Sequence, residues 1–358
     1  MKQRDPIRRT HQSPEEELAP DVYPTLQELH DCKLCSWKCS VDRLANERGV
    51  CLLGLPEVTS FQLHPAPSAS FTVFTVSCNF KCLNCQNWKI AHGYLRDPTQ
   101  SLGWVAPRLI AKEGLRSIHS IWGKLIAADR LFFSGGSPAV ALPWVEHMVW
   151  EAKQIDPSVK VNFDTNGFPT PESFKQILHL SDSITFDIKA ASDLLHRELT
   201  GAPVEPVLRN AETMARYRDK LWEFRILVIL GIIDQHEITN IVEFILSLDP
   251  SLPVCFLAFR PNFCLDLHLG ATTKLMKQAV HLAKGLGLET VSWAGFTDIS
   301  GTPIPPDLSL QAKYQRAEEQ MAATYARRAG CWTTPRACGT CVRKLDCPLK
   351  NYVSLRST

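Results

Sequence analysis

The chain has 358 residues, of which 45% are hydrophobic and 21% are charged, and its 39 basic and 37 acidic side chains give a formal net charge of +2. This composition predicts a folded protein of two or three compact units, and the near balance of charge argues against a nucleic-acid-binding surface over the whole protein. No run of about 18 apolar residues occurs, so we expect no helix that crosses a membrane.

Thirteen cysteines are the unusual feature of the composition. They fall into a quartet, a triplet, two isolated positions and a second quartet: Cys32, Cys35, Cys39 and Cys51; Cys78, Cys82 and Cys85; Cys255 and Cys264; Cys331, Cys338, Cys341 and Cys347. Ligands of one metal centre must converge, so this bunching indicates metal sites. Since residues 1–20 lack the apolar core of a signal peptide, we expect a reducing, cytoplasmic location rather than a disulfide scaffold.

Taken in chain order, residues 1–25 are polar and are predicted to form a flexible tail. Residues 26–65 form an N-terminal four-cysteine segment with the spacing C-x2-C-x3-C-x11-C. This spacing is compatible with zinc, with a single iron or with an iron–sulfur cluster. We favour a structural metal, because the segment is short, precedes the main unit and contains Gly49 at a tight turn.

Residues 66–300 show a repeat of short apolar runs and amphipathic helices. The predicted strands cover residues 71–77, 130–136, 160–167, 183–190, 224–230 and 254–259, with a seventh candidate at 293–296. The clearest helical patterns between them cover residues 144–155, 171–180, 207–219 and 237–248. This alternation predicts an α/β fold of parallel strands and right-handed crossovers, and the strand number favours an incomplete (β/α)6-type barrel over a closed eightfold one.

The chemically reactive segments of this unit follow directly on the predicted strands, so we expect them to meet at the carboxyl edge of the sheet. The triplet Cys78, Cys82 and Cys85 follows the first strand with the spacing C-x3-C-x2-C. Three thiolates are one too few to close a [4Fe–4S] cluster, which leaves one iron open to a substrate or cofactor. A zinc knuckle or three buried thiols is the alternative.

Residues 301–358 begin with a Pro-rich turn and continue as a helical run that ends at Gly330. The second quartet follows, with the spacing C-x6-C-x2-C-x5-C. We expect a C-terminal helix and four-cysteine module, for which an auxiliary iron–sulfur cluster and zinc are equally compatible with the spacing.

The triplet, with an aromatic residue before its second cysteine, resembles that of the radical S-adenosylmethionine (radical SAM) superfamily. The resemblance implies a [4Fe–4S] cluster on Cys78, Cys82 and Cys85, whose open iron binds S-adenosyl-L-methionine and whose reduction releases a 5′-deoxyadenosyl radical. The segment SGGSP looks like the superfamily's Gly-Gly-Glu segment, so Gly135 and Gly136 would offer backbone carbonyls to the methionine amino group. Ser137 stands where an acidic residue is usual.

Residues 30–262 are similar to the pyruvate formate-lyase activating enzyme group and to related radical proteins with an N-terminal four-cysteine segment. By this resemblance Asp164, Asn166 and Lys189 lie around the cofactor, and Arg225 contacts a carboxylate or the substrate. An internal salt-bridge network is the alternative for the charged members. We also consider Cys264 as a thiol that donates hydrogen to a substrate radical.

The resemblance implies an enzyme that abstracts hydrogen from a substrate, by analogy a polypeptide, with flavodoxin or ferredoxin as reductant. The C-terminal quartet is reminiscent of the auxiliary-cluster tails of peptide-modifying radical enzymes, so a radical SAM methyltransferase or peptide maturase is an alternative. A non-catalytic iron–sulfur or zinc scaffold is a third hypothesis. The open triplet argues against it, because electron carriers use four protein ligands.

Overall fold

A computed structural model describes residues 24–65, 68–92 and 98–295 of the chain. The predicted tail therefore lies almost wholly outside the described residues. The C-terminal helix and its quartet, Cys331, Cys338, Cys341 and Cys347, lie wholly outside them. None of the described helices is both long and apolar enough to span a membrane.

One eight-stranded sheet organises the described chain, and its strands are hydrogen-bonded in sequence order. The strands are β1 (Val58–His64), β2 (Ser70–Thr75), β3 (Arg130–Gly135), β4 (Lys160–Thr165), β5 (Ser183–Asp187), β6 (Leu221–Val228), β7 (Val254–Ala258) and β8 (Val291–Ala294). The first pair, β1 with β2, is antiparallel, and every later pair is parallel. The order starts at β1 and ends at β8 without closing, which makes an open, partial barrel.

Helices connect the parallel strands and cover the sheet. The α-helices are α1 (Trp88–Ala91), α2 (Pro107–Ile118), α3 (Ile121–Leu125), α4 (Leu142–Ile155), α5 (Pro171–Leu180), α6 (Asp193–Thr200), α7 (Glu205–Arg216), α8 (Gln235–Leu248) and α9 (Thr273–Leu286). Short 3-10 helices cover Pro24–Leu29, Pro98–Gln100, Pro138–Ala141, Arg218–Lys220 and Phe263–Leu265.

The six predicted strands and four predicted helices are confirmed, and β8 overlaps the seventh candidate strand. The sequence did not predict β1, whose polar and apolar residues alternate and whose side chains are mostly half-exposed. This strand forms the edge of the sheet and pairs antiparallel with β2, so it lies outside the β/α repeat that reveals the others. The parallel part of the sheet therefore has seven strands, which are the six predicted strands and β8.

Aromatic side chains fill the core between the sheet and its helices. Phe133 and Phe163 occupy paired positions of β3 and β4, and the centroids of their rings lie 6.5 Å apart. Phe186 of β5 meets Phe224 of β6 edge-on, with ring centroids 5.4 Å apart. All four side chains are fully buried, and burial of each such side chain stabilises the fold by roughly 2–3 kcal/mol.

Gly167, in the loop after β4, provides a test of this packing. Its φ of +72° lies in the left-handed region, and a Cβ atom there would sit 2.4 Å from the Phe186 ring. Because backbone strain and overpacking each cost about 1–3 kcal/mol, we expect Gly167→Ala to lower the free energy of unfolding by about 2–4 kcal/mol. Chemical unfolding monitored by circular dichroism measures this change.

The matched control is Gly285→Ala, since Gly285 lies in α9 and an added Cβ would meet nothing within 4 Å. We expect this control to match or slightly exceed the stability of the wild type, because alanine is the better helix former. Equal effects of the two substitutions would contradict the packing described around Gly167.

Candidate active site

The three cysteines of the triplet lie on a loop that follows β2 and is fixed from several sides. The Lys81 amide donates to the Thr200 carbonyl over 2.8 Å, and the Leu83 amide donates to the Leu199 carbonyl over 3.0 Å. Both acceptors lie in the last turn of α6, where helix carbonyls lack intrahelical partners. The loop therefore satisfies the end of this helix while it holds the cysteines at the carboxyl edge of the sheet.

The three thiols are shielded from water and lie close enough to influence one another. Burial raises the pKa of Cys78 and Cys82, and burial together with the neighbouring Cys78 raises the pKa of Cys85 to about 12. The Phe80 amide donates to the Cys78 sulfur over 3.3 Å, which favours a thiolate there. Free thiols in this loop are held protonated, and a bound metal would displace their protons.

Positive charge stands beside this loop. The ammonium group of Lys81 is buried, and its Nζ lies 3.3 Å from the Cys78 carbonyl oxygen. Burial lowers the pKa of Lys81, although the nearby Cys78 opposes the effect. Three thiolates on an iron–sulfur cluster carry net negative charge, so a buried ammonium group suits such a centre.

A second loop, at the end of β3, passes directly over the start of the cysteine loop. The Gly136 amide donates to the Thr75 carbonyl over 2.9 Å, and the Ser137 amide donates to the Ser77 carbonyl over 2.8 Å. A Cβ atom on Gly136 would lie 1.8 Å from the Ser77 carbonyl oxygen, so only glycine permits this approach. The Asn87 side chain, just beyond the triplet, donates to the Gly135 carbonyl over 2.6 Å.

Polar residues at the end of β4 complete this edge. Asn166 donates through Nδ2 to the Asn79 side-chain oxygen over 2.7 Å, and the same nitrogen lies 3.8 Å from the Cys78 sulfur. Asp164 accepts a hydrogen bond from the Ser134 hydroxyl over 2.7 Å. The ends of β2, β3 and β4 therefore converge, as the sequence pattern predicts.

Charged residues of β4, β5 and β6 form a linked network beside the triplet. Arg225 donates through Nε to Glu223 over 2.7 Å, and its Nη1 lies 3.5 Å from an oxygen of Asp164. Lys189 pairs with Asp187 over 2.9 Å. Two nitrogens of Arg225 are thus engaged inside the protein, which fits the internal salt-bridge alternative, and its contact with a substrate remains a prediction.

Two members of this network have shifted pKa values. Burial raises the pKa of Asp164 to about 6, although the Arg225 guanidinium opposes the shift. Burial alone would lower the pKa of Lys189, but Asp187 and the neighbouring Cys82 outweigh it and raise the pKa overall. Lys189 therefore remains a cation close to the cysteine loop.

Cys264 lies in the 3-10 helix after β7 and is buried. Its amide donates to the Leu83 carbonyl over 3.1 Å, which places this helix against the cysteine loop. Phe263 stacks on Trp88, with ring centroids 5.1 Å apart, and covers the same side. A role of the Cys264 thiol as hydrogen donor remains a prediction.

Several polar residues of the site were not identified from the sequence. Asn79, Ser134 and Asn87 carry no distinctive spacing, and only the folded chain shows that they join the loops. Asn79 Nδ2 and Ser137 Oγ are buried and, among the described residues, have no hydrogen-bond partner. Such atoms suit a polar ligand, because a buried polar group without a partner is costly.

The N-terminal quartet lies on the neighbouring side of the same sheet edge. Cys35 forms an isolated antiparallel bridge with Pro169, and the Trp37 indole donates to the Asn79 carbonyl over 2.8 Å. The Ser77 hydroxyl donates to the Cys51 carbonyl. Within the described ranges, no three Cys, His, Asp or Glu side chains converge as the ligands of a single ion would. Cysteines that hold a four-iron cluster bind separate irons, so their sulfurs need not converge on one point.

These features define the class of the protein. It is an α/β protein with an open, mostly parallel sheet, which carries three buried or half-buried cysteines on the loop after its first parallel strand and a glycine loop packed on the start of that loop. The donor set and the unpartnered polar atoms fit an iron–sulfur cluster together with a small polar cofactor.

Comparison with known proteins agrees with this class. The model of the Radical SAM superfamily matches residues 72–245, just under half of the chain. This match confirms the resemblance to the superfamily that the sequence shows. The superfamily implies a [4Fe–4S] cluster and S-adenosylmethionine as cofactors, and it leaves the reaction class and the substrate open.

Individual relatives are distant. An uncharacterised protein of Methanocaldococcus jannaschii is 27% identical over 165 residues, which are 44% of this chain, and the chain spans 45% of that relative. A domain of pyruvate-formate lyase-activating enzyme from Bacteroides vulgatus aligns with 46% of this chain and 98% of that domain, at 19% identity and a TM-score of 0.39. A radical SAM methyltransferase from Sphaerobacter thermophilus aligns with 65% of this chain and 68% of its own, at 12% identity and a TM-score of 0.46.

The raised pKa of Asp164 predicts a pH dependence of stability. Between pH 5 and pH 7.5 the unfolded chain holds this carboxyl ionised, whereas the folded protein loses its proton only around pH 6. The folded state therefore binds more protons than the unfolded chain in this range. As the pH rises, Asp164 lowers the free energy of unfolding by about 1–1.5 kcal/mol. We expect Asp164→Asn to remove that decline, as measured by urea unfolding at several pH values under anaerobic conditions.

Asp249→Asn is the control for this measurement. Hydrogen bonds from Ser251 lower the pKa of Asp249, so it is ionised in both states over the same range and its replacement should leave the pH profile unchanged. A profile of Asp164→Asn that runs parallel to the wild type would show that Asp164 titrates normally.

Proposed function

We propose that this enzyme cleaves S-adenosylmethionine reductively and uses the resulting radical to abstract a hydrogen atom from a polypeptide. The observation that carries the proposal is the packing of the Gly135–Ser137 loop on the start of the loop that holds Cys78, Cys82 and Cys85. This packing supports the proposal because it would bring a cluster on the three thiolates next to glycine backbone that an amino acid moiety can approach closely.

When bound, a [4Fe–4S] cluster and S-adenosylmethionine would supply the radical chemistry, in which one electron from a reductant such as flavodoxin or ferredoxin would break the C5′–S bond and leave methionine and a radical that takes a hydrogen atom. Cys78, Cys82 and Cys85 would hold the cluster through their thiolates. Lys81 and Lys189 place positive charge beside these sulfurs.

The remaining residues of the site would bind the cofactor and orient the two loops. Gly135 is held by Asn87 through its carbonyl, so the glycine loop keeps its shape beside the cluster loop. The buried Ser137 hydroxyl is available to a ligand, in place of the usual acidic side chain. Asn166 stands between the end of β4 and Cys78, where its amide orients the cysteine loop and can reach the cofactor. Asp164 and Arg225 balance each other's charge at the back of the site.

A polypeptide substrate is supported by the similarity of the motifs within residues 30–262 to those of the pyruvate formate-lyase activating group. This similarity favours a glycine or side-chain carbon as the position that loses hydrogen. A peptide in which candidate Cα positions carry deuterium tests this step, since deuterium would appear in the 5′-deoxyadenosine.

Radical methylation or peptide maturation is the second candidate, and the C-terminal C-x2-C-x5-C spacing favours it. Those cysteines lie outside the described residues. Formation of S-adenosylhomocysteine as a co-product would favour methylation over simple hydrogen abstraction.

Reductive cleavage is tested on anaerobically reconstituted protein. With dithionite and S-adenosylmethionine, the wild type should form 5′-deoxyadenosine, measured by liquid chromatography. The triple variant Cys78→Ala, Cys82→Ala, Cys85→Ala should lose at least about 99% of this product, because the cluster loses its protein ligands.

Cys255→Ala is the matched control for the loss of a buried thiol, since Cys255 lies in β7 next to Arg225 of β6 and belongs to neither group of metal-ligand candidates. It should retain product formation within about twofold of the wild type. Absence of 5′-deoxyadenosine from wild-type protein that carries its cluster, with and without peptide substrates, would contradict the proposed reaction.

A further inference from the structure

We propose that Cys32, Cys35, Cys39 and Cys51 hold a negatively charged metal–thiolate centre and that the buried guanidinium of Arg43 is its counter-charge. The four cysteines line one small cavity together with Arg43. The apolar part of the cavity wall includes Leu34, Val41 and Val140. Sequence spacing indicated the cysteines, but nothing in the sequence indicated Arg43.

Arg43 is a buried charge without a carboxylate partner. Its side chain is 1% exposed, and none of the ion pairs among the described residues includes it. Nε donates to the Gly54 carbonyl over 2.9 Å and Nη1 donates to the Val140 carbonyl over 2.7 Å. These carbonyls orient the guanidinium but carry no net charge, and arginine remains protonated in proteins.

The guanidinium of Arg43 lies beside the cysteines. Nη1 lies 3.7 Å from the sulfur of Cys32, within reach of an N–H···S hydrogen bond. Nη2 is buried and has no hydrogen-bond partner among the described residues. A buried charged group left in this condition is strongly unfavourable, so the cavity requires a negative species.

A metal bound by four thiolates is such a species. Zinc with four thiolates has a net charge of −2, and so has an oxidised [4Fe–4S] cluster with four thiolates. One guanidinium therefore leaves either centre with a net charge of −1 at the border of the fold. The charge argument applies equally to both centres, and metal analysis distinguishes them.

The backbone of residues 49 and 50 lies close to the Cys39 sulfur. The Val50 amide points at the Cys39 sulfur over 3.5 Å, which stabilises a thiolate. A Cβ atom on Gly49 would lie 2.7 Å from the same sulfur, so glycine lets the backbone wrap closely around it. The thiols line the cavity without converging as single-ion ligands would. A single ion would require these side chains to move closer together, whereas a four-iron cluster binds each sulfur through a separate iron.

The centre also supports the active site. Val140, which receives the hydrogen bond from Arg43, lies in the 3-10 helix Pro138–Ala141 directly after Ser137. Cys51 accepts the hydrogen bond from Ser77, the residue before Cys78. Both loops of the active site therefore rest on the N-terminal segment.

Metal analysis of the full chain, purified anaerobically, tests the site. The double variant Cys35→Ser, Cys39→Ser should contain about one zinc or about four irons fewer per chain than the wild type. The metal that is lost identifies the centre. Equal metal content of the two proteins would overturn the proposed site.

The role of Arg43 is tested by the rate at which a chelator removes this metal. We expect Arg43→Met to lose it at least about tenfold faster than the wild type, and Arg43→Lys, which keeps the charge without the planar fork, to lie between them. Arg108→Met, at an exposed position of α2, should match the wild type.

Wild-type release rates for both Arg43 variants would overturn the counter-charge role even if the metal is present. If Arg43→Met fails to fold, the comparison of Arg43→Lys with the wild type decides by the same rate. An accelerated loss with Lys then supports the proposal, and an unchanged rate overturns it.

Discussion

The close approach of Gly136 to the Ser77 carbonyl is the contact on which the site depends. It joins the loop after β3 to the loop after β2, and a single Cβ atom would prevent it. The neighbouring amides of Gly136 and Ser137 then extend the hydrogen bonding between β2 and β3 beyond the strands themselves. Two loops that would otherwise diverge are held together at the carboxyl edge of the sheet, next to the three cysteines.

Several charged side chains lie around this contact, where they are partly or fully removed from water. Lys81 and Lys189 stand beside the cysteine loop, and Asp164, Asp187 and Arg225 lie behind them. Inside a protein such charges must balance one another, because separation from water is costly. A cluster with three thiolates would add negative charge to this set. Lys81, which is in none of the ion pairs among the described residues, is the positive group that would offset this charge beside the sulfurs. The same reasoning applies to Arg43 beside the N-terminal cysteines.

The architecture could be predicted from the sequence because buried parallel strands have a simple sequence pattern. Each of β2 to β7 is a short apolar run with turn residues after it, and each appears where the pattern placed it. Edge strand β1 has half-exposed and exposed side chains after Val58 and no helix after it, so the same signal is missing. The last strand, β8, is short and largely exposed, and only its overlap with residues 293–296 was anticipated.

Site residues divide in the same way. The cysteines bunch as metal ligands must, and Gly135 and Gly136 are expected from the resemblance of their segment to the superfamily's Gly-Gly-Glu segment, so the sequence indicates both sets. Asn79, Asn87 and Ser134 act through tertiary hydrogen bonds, which leave no periodic trace. Arg43 resembles a solvated charge in a polar loop, and only its burial reveals a role. For Arg225 the resemblance implies a contact with a carboxylate or the substrate, and the structure adds that its side chain is paired with Glu223 and Asp164 inside the protein.

We propose that S-adenosylmethionine binds directly to a cluster held by three cysteines. Electron paramagnetic resonance of the reduced wild-type protein, recorded before and after addition of S-adenosylmethionine, is the most direct test. We expect the signal of a reduced [4Fe–4S] cluster whose shape changes when the cofactor is added. A four-iron signal that is identical with and without the cofactor, or the absence of any such signal in reconstituted protein, would contradict it.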